Sequence, residues 1–172
     1  MPKLIPVLSQ KDIARAVARV ASEINSDFRD QPLVVLGVLK GAFIFLSDLI
    51  RQLNLSLKVD FIWLSSYGAK TASTGEVRLL KEIGVDIRGQ NVLLVEDIVD
   101  SGLTLSFLVD YLRAFDPRAV KICALIDKKE RRQISIPLDY CCHVIDEGFL
   151  VGYGLDYDEN YRGLPEIYHL QL

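Results

Sequence analysis

The sequence predicts an α/β fold, a mostly parallel twisted sheet flanked by helices. Three observations predict it. Strand-like apolar runs alternate with helical periodicities along most of the 172 residues, the order that right-handed crossovers turn into a parallel sheet with helices on both faces. The runs are continuously apolar, as strands buried on both faces are. The stretch VLLVEDIVDSGLTL, residues 92–105, carries a buried-type strand into acids and a Ser-Gly turn before a helical pattern resumes.

The elements follow in order. Ser9 and Asp12 form an S-x-x-D capping pattern, and Ile13, Val17, Val20 and Ile24 share one helical face behind it. Gln31-Pro32 ends that pattern, and residues 33–39 read as a buried strand. Gly41 opens a second helix carrying Phe43, Leu46, Leu49, Ile50 and Leu53. Residues 57–66 are a further strand. Residues 67–83 are largely polar without a clear period and read as a long loop. Residues 92–97 are the strand that meets the acids, and residues 103–115 its helix. Residues 120–127 are an aliphatic strand and 143–145 a short one. The stretch from about Cys141 does not fit another βαβ unit.

Composition bounds the classes. One domain with a sizeable core is expected at this length. Half the residues are apolar and a quarter charged, an ordinary globular composition. The net charge of −3 gives no electrostatic case for nucleic acid or anionic membrane. No apolar run approaches the roughly 18–20 residues that span a bilayer, and the first residues lack a signal-peptide core, so a cytoplasmic protein is expected. The three cysteines, Cys123, Cys141 and Cys142, include no C-x-x-C, which argues against a disulfide framework or a zinc site. Cys123 reads as core. His143 and His169 have no companions at ligand spacing.

The 92–105 stretch carries the chemistry. Ligands of open α/β sheets bind outside the carboxyl ends of the strands. A helix N-terminus there offers free N–H groups to a phosphate. Glu96 and Asp97 can hydrogen-bond sugar hydroxyls, while the turn amides with Ser101 and Thr104 can hold a phosphate. A sugar phosphate suits both halves. Singly, Asp100 and Ser101 would read as helix caps and the acid pair as loop acids; the whole pattern favours the ligand. G-x-x-x-x-G-K-[ST] is missing, which disfavours a P-loop ATPase.

With its strand, acid pair and D-S-G-x-T turn, the chain resembles the type I phosphoribosyltransferases. More specifically it is similar to the hypoxanthine-guanine phosphoribosyltransferases. The likeness covers nearly the whole chain: VVLGVLKGAFIFLSDL, SSYG with the loop after it, VEDIVDSGLTL, and DEGFLVGYGLDYDENYRGLP. The last block points to the 6-oxopurine branch.

The resemblance implies a type I phosphoribosyltransferase fold. Residues 1–10 and about 141–172 would form a small hood over the base site. It implies displacement of pyrophosphate from C1′ of phosphoribosyl pyrophosphate by a purine nitrogen through an oxocarbenium-like transition state, in purine salvage. Asp100 would accept the purine N7 proton. Glu96 and Asp97 would hold the ribose hydroxyls. Ser101, Gly102, Thr104 and the backbone of Leu103 would cradle the 5′-phosphate. Leu103 stands where some relatives carry lysine, so no side-chain charge is needed there.

Leu39, Lys40 and Gly41 would contact pyrophosphate, with a cis bond expected between Leu39 and Lys40, and Arg162 would meet it with its planar fork. Lys128 would donate to the 6-oxo oxygen; judged by composition alone it belongs to a solvated basic run with Lys129, Arg131 and Arg132. Phe149 would stack on the purine, and the backbone around Leu150 and Asp156 would read its position-2 edge. Asp156, with Glu96 and Asp97, would lie near Mg²⁺, which uses few carboxylates plus substrate phosphates. Ser66 and Tyr67 match the mobile catalytic loop of that family, with Ser73-Thr74-Gly75 at its tip. A homodimer or homotetramer is implied, with the helix carrying Phe43 and Leu53 as an interface. Two alternatives stay open: a nucleotide-sensing RNA-binding regulator on the same fold, and a xanthine-preferring enzyme.

Overall fold

The computed structural model describes residues 2–67 and 76–172. The elements are β1 (Lys3–Leu8), α1 (Gln10–Asp27), β2 (Leu33–Leu39), α2 (Phe43–Ile50), β3 (Leu57–Tyr67), β4 (Glu76–Lys81), β5 (Asn91–Val99), α3 (Leu103–Arg113), β6 (Ala119–Lys128), β7 (Tyr140–Ile145), β8 (Leu150–Val151) and β9 (Ile167–Gln171). The main sheet has the order β4-β3-β2-β5-β6-β7. Its pairings are parallel except β3 with β4.

The continuous apolar runs divide by a period of two. Val35, Leu93 and Val95 face α1 and α2 in one core layer. Val34, Leu36, Val92 and Leu94 face α3 in the other. Each fully buried aliphatic side chain of this kind contributes about 1.5–3 kcal/mol. The expected capping box starts α1: the Asp12 N–H donates to Ser9 Oγ at 3.2 Å, and the Ser9 N–H donates to Asp12 Oδ2 at 2.9 Å. Its apolar stripe of Ile13, Val17, Val20 and Ile24 is buried.

Two expectations are corrected. Residues 67–83 are not one long loop, because β4 occupies 76–81 and pairs antiparallel with β3. Along β4, Val77 and Leu79 are half-buried while Arg78 and Leu80 are exposed, so a one-sided edge strand hides in a polar stretch. Ser66 lies in β3 as expected and Tyr67 extends the strand by one residue, their backbones in register with Val77 and Glu76; the expected loop tip, Ser73-Thr74-Gly75, lies outside the described residues. Residues 141–145 finish the main sheet as β7 against β6, because their strand is long enough to extend its edge.

A second, antiparallel sheet of order β1-β9-β8 joins the two ends of the chain. β1 gave no strand signal in the sequence because Pro6 interrupts it and its pairing shifts register between Pro6 and Leu8. The strand order reverses between β2 and β5, which run parallel side by side. Such a reversal opens a crevice at the carboxyl ends of the strands.

Candidate active site

Residues 39–42 leave β2 and turn into α2 at that crevice. The Leu39–Lys40 bond is cis, as expected. Gly41 lies so close to β5 that a Cβ there would overlap the Asp97 carboxylate. Gly154, with φ 101°, packs as closely on the Gly41 carbonyl. Two successive close approaches thus bind the 39–42 turn and the C-terminal segment to the end of β5.

β5 continues past the acids to Val99, two residues beyond the expected end. Glu96 is 6 % exposed. Burial, followed by repulsion from Asp97, holds its carboxyl well above the usual range. Burial raises Asp97 as well, although its Oδ1 accepts the Ile98 N–H at 2.7 Å. Low-dielectric surroundings favour the neutral acid, and two adjacent carboxylates resist joint ionisation.

The turn after β5 is not capped by Asp100. Gly102 is the N-cap of α3, has φ 86°, and makes no side-chain capping bond. Ser101 Oγ accepts the Leu103 N–H at 3.2 Å. The turn is instead held from outside: Ser101 O accepts from the Gln133 and Ile134 N–H groups at 2.9 and 3.0 Å. Arg132 donates to the Asp100, Lys128 and Val99 carbonyls at 2.8, 3.1 and 3.2 Å, and pairs with Asp127. By composition Arg132 belongs to a solvated basic run, yet its side chain is only 18 % exposed. Period and charge carry no signal for this, since the Val99 and Asp100 carbonyls it holds lie more than thirty residues away.

The C-terminal segment supplies the opposite wall. Arg162 donates to the Gly154 carbonyl at 2.8 Å and pairs with Asp156 at 3.0 Å. Glu159 lies 2.8 Å from Lys40 Nζ and 3.5 Å from Arg162, bridging the two cations. A cleft of about 290 Å³ results. It brings together Leu39, Lys40 and Gly41, the acids Glu96, Asp97 and Asp100, then Ser101, Gly102 and Thr104, and finally Asp156 and Arg162. Leu64 and Val77, on the β3–β4 hairpin, also line it.

Four expected residues lie beside this cleft rather than in its wall. Lys128, 5 % exposed, ends β6 and reaches Glu130 Oε2 at 3.1 Å and Asp100 Oδ2 at 4.0 Å. Phe149 is half-exposed and meets Tyr157 edge to face at a centroid distance of 5.6 Å. Leu150 is buried in β8, and Leu103 is turned outward at the start of α3.

The phosphoribosyl transferase domain family matches residues 7–158. A hypoxanthine-guanine phosphoribosyltransferase of Aquifex aeolicus is 44 % identical over 170 residues, covering 98 % of this chain and 96 % of that one. The chain belongs to the phosphoribosyltransferase family, among the hypoxanthine-guanine phosphoribosyltransferases.

The likeness extends to solved structures of this family. The crystal structure of a hypoxanthine-guanine phosphoribosyltransferase from Bacillus anthracis superposes with a TM-score of 0.92 at 41 % identity, covering 99 % of this chain and 100 % of that one. A Trypanosoma cruzi hypoxanthine phosphoribosyltransferase in complex with the product IMP gives a TM-score of 0.89 at 38 % identity, covering 96 % and 93 %. The resemblance read from residues 34–49, 95–105 and 146–165 is borne out, and the type I phosphoribosyltransferase fold with it. Four further residues act on expected site residues without an assigned role in the sequence: Arg132 and Glu130 in the basic run, and Tyr157 and Glu159 within the 146–165 block.

Proposed function

We propose that this chain is a purine-salvage enzyme that transfers the 5-phosphoribosyl group of phosphoribosyl pyrophosphate to N9 of hypoxanthine or guanine, giving IMP or GMP and pyrophosphate. One observation carries the reading: a single cleft is lined by the phosphate-type turn, the acid pair and the two cations Lys40 and Arg162. A sugar bearing phosphate at one end and diphosphate at the other matches that arrangement.

The division of labour follows the geometry. The turn 101–104 and the open start of α3 take the 5′-phosphate. Glu96 and Asp97 take the ribose hydroxyls. Lys40, Gly41 and Arg162 take the departing diphosphate, with Leu39 shaping the turn. The base lies between Lys128, which donates to the 6-oxo oxygen, and Phe149, which stacks on the ring, with the Leu150 and Asp156 backbone at its position-2 edge. N9 forms the new bond to C1′ as the C1′–diphosphate oxygen bond breaks, and Asp100 receives the N7 proton. Holding both reactants in register supplies much of the rate. The small sheet of β1, β8 and β9 is the hood that shields the base, and the β3–β4 hairpin forms the cleft's other margin.

The acid pair also fits a divalent cation. Glu96 and Asp97 crowd each other in a buried position that disfavours their charge, which a cation relieves. Among the described residues no three candidate ligands cluster, so Mg²⁺ there would draw on one or more of Glu96, Asp97 and Asp156 and otherwise on substrate oxygens and water. When bound, it would neutralise diphosphate charge.

Among the described residues no helix is long and apolar enough to cross a membrane, and a cytoplasmic enzyme suits these substrates. A homodimer or homotetramer suits Phe43, which α2 leaves 44 % exposed; light scattering tests it. The decisive assay is product formation from phosphoribosyl pyrophosphate and Mg²⁺ with hypoxanthine, guanine, xanthine and adenine in parallel. Turnover of hypoxanthine or guanine is expected. Turnover of xanthine alone would shift the substrate, and silence with every base would favour the regulator.

A further inference from the structure

Lys128 sits at the end of β6 with its side chain 7 % exposed. A buried ammonium needs partners for its charge and its three N–H donors. The closer of its two acids is Glu130, at 3.1 Å, inside an otherwise basic run. The same Glu130 oxygen also accepts the Gly148 N–H at 3.3 Å. Gly148 is itself fixed: its φ is 103°, and a Cβ there would overlap the His169 imidazole on β9. Phe149 follows directly. One carboxylate therefore ties the lysine of the main sheet to the turn that carries the aromatic ring, and through that turn to the small sheet.

We propose that Glu130 is a positioning residue for the purine base, setting the Lys128 ammonium and the Gly148–Phe149 turn in register with each other. The inference rests on the base-binding roles given above to Lys128 and Phe149. Glu130 takes one lysine donor and leaves the others for Asp100 and the base. It fixes where the ammonium stands relative to the ring without touching the ribose-phosphate half of the cleft: neither Glu130 nor Gly148 lines it. Its effect therefore falls on the base and spares phosphoribosyl pyrophosphate.

The test is steady-state kinetics with each substrate varied in turn. Glu130→Ala is expected to raise KM for hypoxanthine and guanine about tenfold to 150-fold, the span of a lost charge-assisted hydrogen bond, with KM for phosphoribosyl pyrophosphate unchanged. Glu130→Gln, which keeps an acceptor oxygen, is expected to recover most of that loss. In a Lys128→Met background, Glu130→Ala is expected to add much less than it does alone, since the two act as a unit. Equal rises in both KM values, or full additivity with Lys128→Met, would reduce Glu130 to general structure and overturn the proposal. A large Lys128→Met effect beside a silent Glu130→Ala overturns the Glu130 inference alone. A silent Lys128→Met overturns the lysine's role, and this inference with it. Glu130 is 41 % exposed, and thermal melting of each variant separates these outcomes from misfolding.

Discussion

Lys128 Nζ lies 4.0 Å from Asp100 Oδ2, an ammonium facing a carboxylate where β6 and β5 end side by side. The other oxygen, Asp100 Oδ1, is buried and has no hydrogen-bond donor among the described residues. An unclaimed acceptor beside the lysine proposed to read the base suits a proton acceptor. Asp100→Asn keeps the shape and removes the base. Turnover is expected to fall about 10²–10⁴-fold, with the KM for phosphoribosyl pyrophosphate little changed. Steady-state kinetics decides it, and near-normal turnover would remove Asp100 from that role.

Gly41 shows how narrow the turn proposed to take the diphosphate is. Because a Cβ there would overlap the Asp97 carboxylate, Gly41→Ala must displace either the turn or the acid. A loss of about 1–3 kcal/mol of stability, typical of overpacking, is expected in urea titrations, together with a raised KM for phosphoribosyl pyrophosphate. Wild-type values for both would show that the turn relaxes freely.

Glu96, proposed to hold a ribose hydroxyl, costs the fold stability. In the unfolded chain it ionises near the usual value of 4.5, whereas burial and Asp97 keep the folded carboxyl protonated to higher pH. The folded state then holds more protons, so stability falls as pH rises from 4.5 through the raised folded value. Glu96→Gln removes that slope. Its melting temperature is expected to exceed the wild type's at pH 8 and to match it near pH 4, while its KM for phosphoribosyl pyrophosphate rises. A lower melting temperature at pH 8 would contradict the burial argument.

Asp60 acts in the opposite direction, at the root of the β3–β4 hairpin. Burial alone would raise its pKa, but the N–H groups of Gly84, Phe61 and Val85 and the Lys81 ammonium overrule it and bring it to about 2. The stability it contributes is complete above 3.8 and is lost as pH falls through about 2. Asp60→Asn is expected to cost about 2 kcal/mol at neutral pH and to flatten the acid limb of the stability curve, as read by chemical denaturation from pH 2 to pH 7. An unchanged acid limb would show that other carboxylates control it.

The legibility of this chain was uneven for physical reasons. Leu33–Leu39 was read to the residue, because a strand buried on both faces must be apolar at every position. The capping box at Ser9 and Asp12 was equally plain, being a contact three residues apart. The strand Glu76–Lys81 was missed because it is a half-exposed edge whose partner determines its form. Lys3–Leu8 was missed because its partner strand, Ile167–Gln171, lies at the other end of the chain. In the site, the 96–104 stretch was legible because one strand–turn–helix carries it. Arg132 and Glu130 were not, since nothing local tells a clamp from a surface charge.

By itself the sequence determined the layered α/β plan, the acid pair, the phosphate-type turn and the family, all of which are encoded in contiguous residues whose spacing is their geometry. Tertiary structure decided which surfaces meet. It set β2 beside β5, so that Gly41 packs on Asp97. It carried Arg162 and Asp156 to the same cleft from the far end of the chain. It turned one member of a basic run inward to hold the turn, and brought the Gly148 N–H onto the Glu130 carboxylate. Those contacts join residues that share no local period, and only close packing of the two sheets and their helices brings them within a few ångströms.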